Sequence, residues 1–295
     1  MAQHWLATVI DSAARGDERP TVAALRLLLH ENDTAVDQAV RDALRVANDA
    51  AHERIALMAS LLADARRHAP TLRAIAAAGA APVSGDVANK TPPQGDVRTW
   101  AAAFDQAARI HHGAASALYA LGDPARLAAA TQEVVAYLDS AALIDEGARV
   151  LEIGAGSGRI LAALSPWVRF SVGVEISAEM LAAATRSDNA AYVQTDGRNL
   201  RAFKNESFDL VLAVDSFPFI TAAGLDAHHI GEAARVLAPN GALVVMNYSY
   251  RDNRNADQLA FAAACAAHGL TPTILGAQPF TLWNGAVFAA RLARS

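Results

Sequence analysis

Residues 150–160 read VLEIGAGSGRI, an apolar run that gives way to three glycines at alternate positions, Gly154, Gly156 and Gly158, behind the acidic Glu152. An apolar run, a glycine-rich turn and then a helical pattern predict a strand, a sharp turn and a helix. The turn leaves bare backbone open to a ligand at the carboxyl end of the strand. The spacing narrows the choice of ligand. A dinucleotide-binding G-x-G-x-x-G counted from Gly154 needs a third glycine where Arg159 stands, and a phosphate-binding loop needs a Gly-Lys-Ser/Thr ending that this stretch lacks. Both phosphate readings weaken, and the pattern that remains is E-x-G-x-G-x-G.

Downstream, short apolar runs alternate with helical stretches: FSVGVE, AYVQT, FDLVLAV and GALVVMN follow RVLEIG in turn. Uniformly apolar strands separated by helices predict a parallel sheet covered on both faces. A helix over about 256–268 precedes TPTILGA and AVFAARL, whose connection is too short for a crossover helix, so these two runs are expected to pair antiparallel. The expected architecture is α/β: a Rossmann-like seven-stranded sheet with an antiparallel last strand, preceded by an all-helical N-terminal domain.

Upstream, residues 1–80 are rich in Ala, Leu and Arg, with apolar residues at helical spacing, as in Ala43, Val46, Ala47 and Ala50, then Ile55, Met58 and Leu62. Pro20 opens a short second helix, and Asp33 or Thr34 is expected to cap the next. Residues 81–96 concentrate Gly, Pro, Asn and Ser without apolar periodicity and are expected to be a linker. The domain that follows, 97–295, begins with two leading helices, over 97–121 and 124–140, the second capped by Asp123 with Pro124 in its first position.

The chain has 295 residues, 53% of them hydrophobic, which is ample for a large core. Its net charge of −5 argues against nucleic acid as the main substrate. Cys265 is the only cysteine, so neither an internal disulfide nor a zinc site built on several thiolates is available, and no metal ligand spacing is found. No apolar run approaches the roughly eighteen residues of a membrane span, and the start lacks a signal-peptide pattern. A cytoplasmic protein is expected, with no membrane or nucleic-acid partner; the helical half offers a surface for a homodimer.

From Arg149 to Leu292 the chain resembles the class I S-adenosylmethionine-dependent methyltransferases, of the type 11/25-like, small-molecule-acting kind. The resemblance rests on a set of motifs in the family's order: Glu152, Gly154, Ala155, Gly156 and Gly158 in the first turn; VGVEIS with Glu175 and Ile176; VQTDGRNL with Asp196 and Gly197; Asp215 to Ile220 after the fourth strand; and EAARVLAPNGALVV. It implies S-adenosyl-L-methionine as cofactor, with Glu175 on the ribose hydroxyls, Ile176 against adenine, Asp196 on the adenine amino group and Asp215 also among the cofactor-binding residues, and it implies that Asp215 to Ile220 line the place where the methyl acceptor usually sits. Glu175 stands in place of the more frequent Asp.

The acceptor is less legible. SFPF is neither the Pro-Cys of a cytosine C5 enzyme nor the Asn/Asp-Pro-Pro-aromatic box of amino-methylating nucleic-acid enzymes. A small-molecule acceptor is the expectation, its O, N or C atom undetermined. Phe217, Pro218, Phe219, Tyr250, Arg251 and Trp283 are candidates for its pocket; for Trp283 an aromatic wall competes with an ordinary packed hairpin. His111, His112, Tyr119 and Tyr248 are the candidates for a general base, should one be used, against surface or loop roles. His228 and His229 are expected to be exposed. Two other functions stay open: a cofactor-binding protein or repurposed catalyst that moves no methyl group, and a methyltransferase acting on protein or RNA.

Overall fold

The computed structural model describes residues 2–80, 96–251 and 253–292. The expected linker at 81–96 therefore lies outside the described residues except for Asp96. Contacts group the chain into two compact units. The first takes the residues described up to 80 together with Ala107–Ala130 and Phe280–Asn284, and the second takes the rest.

The first unit is helical: α1 (Ala2–Arg15), α2 (Pro20–Leu29), α3 (Asp33–Val46), α4 (Asp49–Ala65) and α5 (Ala69–Ile75), with the second half of α6 (Val97–Ser116) and the start of α7 (Pro124–Ser140). Ile55, Met58 and Leu62 are buried as their spacing predicts, but Val46 is 85% exposed, because α3 ends there and the chain turns away at Ala47. The cap of α3 is Asn32, whose side chain accepts from the Ala35 N–H at 2.9 Å. Asp33, expected in that role, already belongs to the helix and pairs with Arg66 and Arg73 instead. The leading helix over 97–121 is also interrupted: extended backbone at His111 breaks α6, and a left-handed Leu121 (φ 59°) and Gly122 (φ 74°) end the segment ahead of α7.

The second unit carries a seven-stranded sheet in the order β3-β2-β1-β4-β5-β7-β6. The strands are β1 (Arg149–Ile153), β2 (Phe170–Glu175), β3 (Ala190–Gln194), β4 (Phe208–Val214), β5 (Leu237–Met246), β6 (Leu270–Ala277) and β7 (Val287–Leu292). Between them run α8 (Arg159–Leu164), α9 (Ala178–Ala182), α10 (Phe217–Ala222), α11 (Asp226–Val236) and α12 (Arg254–Ala267). The first five strands pair parallel, and β7 runs antiparallel to both β5 and β6. Leu151, Val211, Ala213, Leu243 and Val245 are fully buried in the sheet's centre, which is why those runs carry no polar alternation. The chain order reverses between β1 and β4, and at such a switch point the loops leaving the carboxyl ends of adjacent strands diverge and open a crevice. Among the described residues no helix is long and apolar enough to cross a membrane.

Candidate functional site

The glycine turn after β1 needs its glycines. Gly154, Gly156 and Gly158 all have left-handed backbone, φ 75°, 55° and 75°. A Cβ on Gly154 would lie 2.3 Å from the Ser216 Cβ, and one on Gly158 would lie 2.2 Å from the Tyr192 hydroxyl. The turn is tied to the end of β2 by Glu175. Its Oε2 accepts from the Gly156 N–H at 2.8 Å, and its Oε1 accepts from Ile176 at 2.8 Å and Ser177 at 2.9 Å. Burial pushes the Glu175 carboxyl up from its ordinary range, and these three donors oppose that push.

A second buried carboxylate lies beside it. Glu152 is 2% exposed and its Oε2 has no hydrogen-bond partner among the described residues. Burial raises its carboxyl to about 8, with the nearby Arg159 opposing and Glu175 reinforcing. An unpartnered buried acceptor is costly, and a ligand that brings donors into this crevice relieves it. A molecule with an ammonium group and vicinal hydroxyls, such as S-adenosylmethionine, fits that need.

The adjoining wall is apolar. A Cβ on Gly197 (φ 68°) would lie 2.6 Å from both the Ile176 Cγ2 and the Val97 Cγ1, so two aliphatic side chains close on this backbone. Asp196 is exposed, its Oδ1 accepting from the Arg198 N–H at 3.0 Å. The first half of α6 is fixed to this corner by Asp105, whose Oδ1 accepts from the Ser177 hydroxyl at 2.6 Å and the Glu179 N–H at 3.2 Å. Sequence reasoning singled out neither Asp105 nor Val97. Their only signal was membership of a leading helix, because their partners lie far along the chain.

On the other side of the switch point, β4 and β5 are each followed directly by a non-glycine residue with left-handed backbone, Asp215 (φ 59°) and Asn247 (φ 66°). The Asn247 Nδ2 and the Tyr250 hydroxyl both donate to the Asp215 Oδ1, at 2.8 and 2.6 Å. Burial raises the Asp215 carboxyl, and these two bonds and Arg159 oppose it. Above them Phe219 meets Trp100, Phe104 and Tyr250 edge to face, with ring centroids 5.1, 5.0 and 6.0 Å apart.

The site thus gathers Glu152, the glycine turn with Ala155, Glu175, Ile176, Gly197, Asp215, Phe219 and Tyr250 along one sheet edge, with Asp196 exposed beyond it. Other candidates lie elsewhere. Tyr248 is 1% exposed and packs in the core against Phe217, Phe261 and Phe288, its hydroxyl donated to Asp226 and its ionisation pushed far up by burial. Phe217 and Pro218 are buried, Phe217 in that same core. Arg251 is engaged by Asp257 at 2.7 Å and by Ser249. In the first unit His111 and His112 are exposed, and the His111 Nδ1 accepts from the Ala114 N–H, capping the restart of α6. Trp283 is stacked between Tyr119 and Phe280, with centroids 5.1 and 4.9 Å away, so the packed arrangement prevails there. His228 is exposed as expected, but His229 is 2% exposed: one step along α11 turns it inward, and its Nδ1 lies 3.1 Å from the Leu225 carbonyl.

Residues 151–245 match the family model described as a methyltransferase domain. The uncharacterized methyltransferase YcgJ of Bacillus subtilis (strain 168) is 33% identical over 108 residues, which span 34% of this chain and 40% of that protein. A ubiquinone biosynthesis O-methyltransferase of Rhodopseudomonas palustris (strain TIE-1) is 30% identical over 129 residues, 42% of this chain and 47% of that protein. The chain therefore matches less than half the length of either relative. The crystal structure of the Bacillus subtilis YcgJ protein aligns with a TM-score of 0.40 at 22% identity, over 48% of this chain and 69% of that one.

Proposed function

We propose that this chain is a class I S-adenosylmethionine-dependent methyltransferase, a reading supported by the match of residues 151–245 to a methyltransferase domain, and that it moves a methyl group to an oxygen, nitrogen or carbon atom of a small-molecule acceptor. The observation that carries the reading is the pair of buried carboxylates around the glycine turn, one of them with an unpartnered oxygen. S-adenosylmethionine, when bound, supplies a methyl group made electrophilic by its sulfonium. Glu175 would accept from the ribose hydroxyls, Glu152 would face the ammonium, Ile176 and Gly197 would flank the adenine, and Asp196 would take its amino group. The turn, in which three left-handed glycines bare the backbone and Glu175 braces Gly156, presents that backbone at close range. Trp100, Phe104 and Phe219 close the other side and keep water from the reacting atoms, where alignment alone contributes up to roughly 7–11 kcal/mol in ideal cases.

The net charge of −5 supports a small acceptor over a polyanion, and the Rhodopseudomonas palustris relative, an O-methyltransferase by name, makes oxygen the first atom to test. The lone Cys265 suits a reducing, cytoplasmic setting. Calorimetric titration with S-adenosylmethionine tests the premise, and absence of binding would sink the reading. Labelled cofactor offered with metabolite, protein and RNA pools then tests the acceptor. Labelled small products are expected; label in protein or RNA, or binding without turnover, would replace the small-molecule assignment.

A further inference from the structure

We infer that Asp215 is the residue that receives the acceptor's hydrogen, and that the acceptor is an aromatic ring bearing a hydroxyl or amino group, seated against Phe219 and Tyr250. The inference rests on the methyl-transfer reading and assigns the acceptor side of the same site.

Backbone geometry marks the position first. Asp215 and Asn247 directly follow neighbouring parallel strands, and both hold left-handed backbone, which Asp and Asn adopt more readily than other side-chain-bearing residues. Such conformations persist where surrounding structure imposes them, and they cluster at sites of function. The imposing contacts are visible. The Asp215 N–H donates to the Met246 carbonyl at 2.9 Å, the Asn247 N–H donates to the Ala286 carbonyl at 2.8 Å, and the Ala286 N–H donates to the Asn247 Oδ1 at 2.9 Å. The last bond fixes which end of the Asn247 amide faces Asp215, so its Nδ2 must be the donor.

The orientation of the carboxylate follows. Both side-chain donors, Asn247 Nδ2 and the Tyr250 hydroxyl, converge on Oδ1, and Oδ2 makes no hydrogen bond among the described residues. A carboxylate clamped by one oxygen presents the other in a set direction, as a base requires. Its half-buried setting raises its affinity for a proton, and Arg159 keeps the charged form accessible.

The neighbouring surface selects the partner. Tyr250, which holds Oδ1, also touches Phe219, and Phe219 meets Trp100 and Phe104; three of these four rings are half-buried rather than sealed in the core. Half-buried aromatic faces and edges next to a hydrogen-bond acceptor suit a planar ring that carries a donor. The buried Trp100 Nε1–H, which has no acceptor among the described residues, offers a second polar anchor to a ring substituent. In the transfer, the acceptor's X–H bond breaks and its hydrogen passes as a proton to Oδ2. The pair left on X forms the X–CH3 bond, the pair of the broken S–CH3 bond stays on sulfur and cancels its charge, and Asp215 later releases the proton to water.

The test uses the full chain saturated with S-adenosylhomocysteine, whose binding is first measured by calorimetry so that failure of the cofactor reading shows separately. 2-Naphthol and 2-methoxynaphthalene, alike in shape but only one a donor, are then titrated and read by their own emission. The wild type is expected to bind 2-naphthol about tenfold more tightly or better, the scale of a hydrogen bond to a charged group. That preference should fade as pH drops and Oδ2 is protonated. Asp215→Asn tolerates left-handed backbone, and with Oδ1 still held by Asn247 and Tyr250 it presents an NH2 in place of Oδ2. It should stay folded by circular dichroism and lose the preference. Phe219→Ala should weaken both probes equally. Equal binding of the two probes by the wild type, binding of neither, or a preference that survives Asp215→Asn would overturn the inference while leaving the cofactor reading intact.

Discussion

Replacing Glu175 with glutamine keeps the side chain's size and removes one acceptor, which makes it the most direct probe of the cofactor site. The carboxylate now serves Gly156 on one oxygen and Ile176 and Ser177 on the other. A glutamine carbonyl can satisfy the Ile176 and Ser177 pair, but its NH2 then stands where Oε2 accepted at 2.8 Å, donor against donor with Gly156. Leaving that amide unsatisfied costs about 1–3 kcal/mol and displaces the middle of the glycine turn. The fold gains something back, because glutamine carries no charge to desolvate, whereas burial disfavours the charged form of Glu175. Binding recovers nothing comparable, since the ribose hydroxyls lose a charged acceptor worth about 1.5–3 kcal/mol. Affinity for S-adenosylhomocysteine should therefore fall roughly 10- to 150-fold, read by isothermal calorimetry at pH 7 with circular dichroism confirming the fold. A folded Glu175→Gln protein that binds as tightly as the wild type would refute the ribose assignment and leave Glu175 as a brace for the turn.

Three further outcomes are expected. The Glu152 carboxyl is raised from 4.5 to about 8, so the folded chain holds this proton where the unfolded chain has lost it. Thermal stability of the cofactor-free protein should therefore fall as pH rises from 4.5 towards 8, and Glu152→Gln should remove that component; an identical pH profile in the variant would count against the burial argument. Gly158→Ala incurs about 1–2 kcal/mol for left-handed backbone and drives its Cβ into the Tyr192 hydroxyl, so S-adenosylhomocysteine binding should be lost. Adding Tyr192→Phe should recover part of it, and full recovery would show that the backbone conformation is unimportant. Trp283→Ala removes the ring stacked between Tyr119 and Phe280 and should destabilise the helical unit by about 3–5 kcal/mol in urea denaturation; a change below about 1 kcal/mol would contradict the packing described.

The parts of this structure legible in the sequence are those in which chemistry and spacing are local. Glu152 and the glycine turn lie within one short run, and Glu175 ends the next apolar run, so strand, turn and carboxylate are read together. What escaped depends on distant partners. Asp105 meets Ser177 across 72 positions, and the aromatic contacts of Trp100 and Phe104 with Phe219 likewise span long stretches of chain, so no window of sequence contains both sides. Tyr248 and Tyr250 stand two residues apart in a loop without fixed period, and only packing sends the first into the core and the second to Asp215. The cap of α3 was misplaced by one residue because Asn32 and Asp33 are both good caps, and distant arginines claim the aspartate.

The tip of the β6–β7 hairpin, residues 280–284, is counted with the helical unit, and this has a consequence for the order in which the chain matures on the ribosome. The Arg19 N–H donates to the Asn284 Oδ1 at 2.8 Å across 265 positions, and the Thr21 hydroxyl donates to the Leu282 carbonyl. At about 5–20 residues per second, roughly 13–53 s separate synthesis of the two ends of the first bond. Helices α1 to α5 emerge early, yet the seat that Trp283 fills beside Tyr119 stays open until nearly the whole sheet has been made. The unit whose helices are translated first is therefore completed only when residues 280–284 are made, and a nascent chain stalled between residues 130 and 280 carries an exposed apolar slot of the kind that chaperones bind.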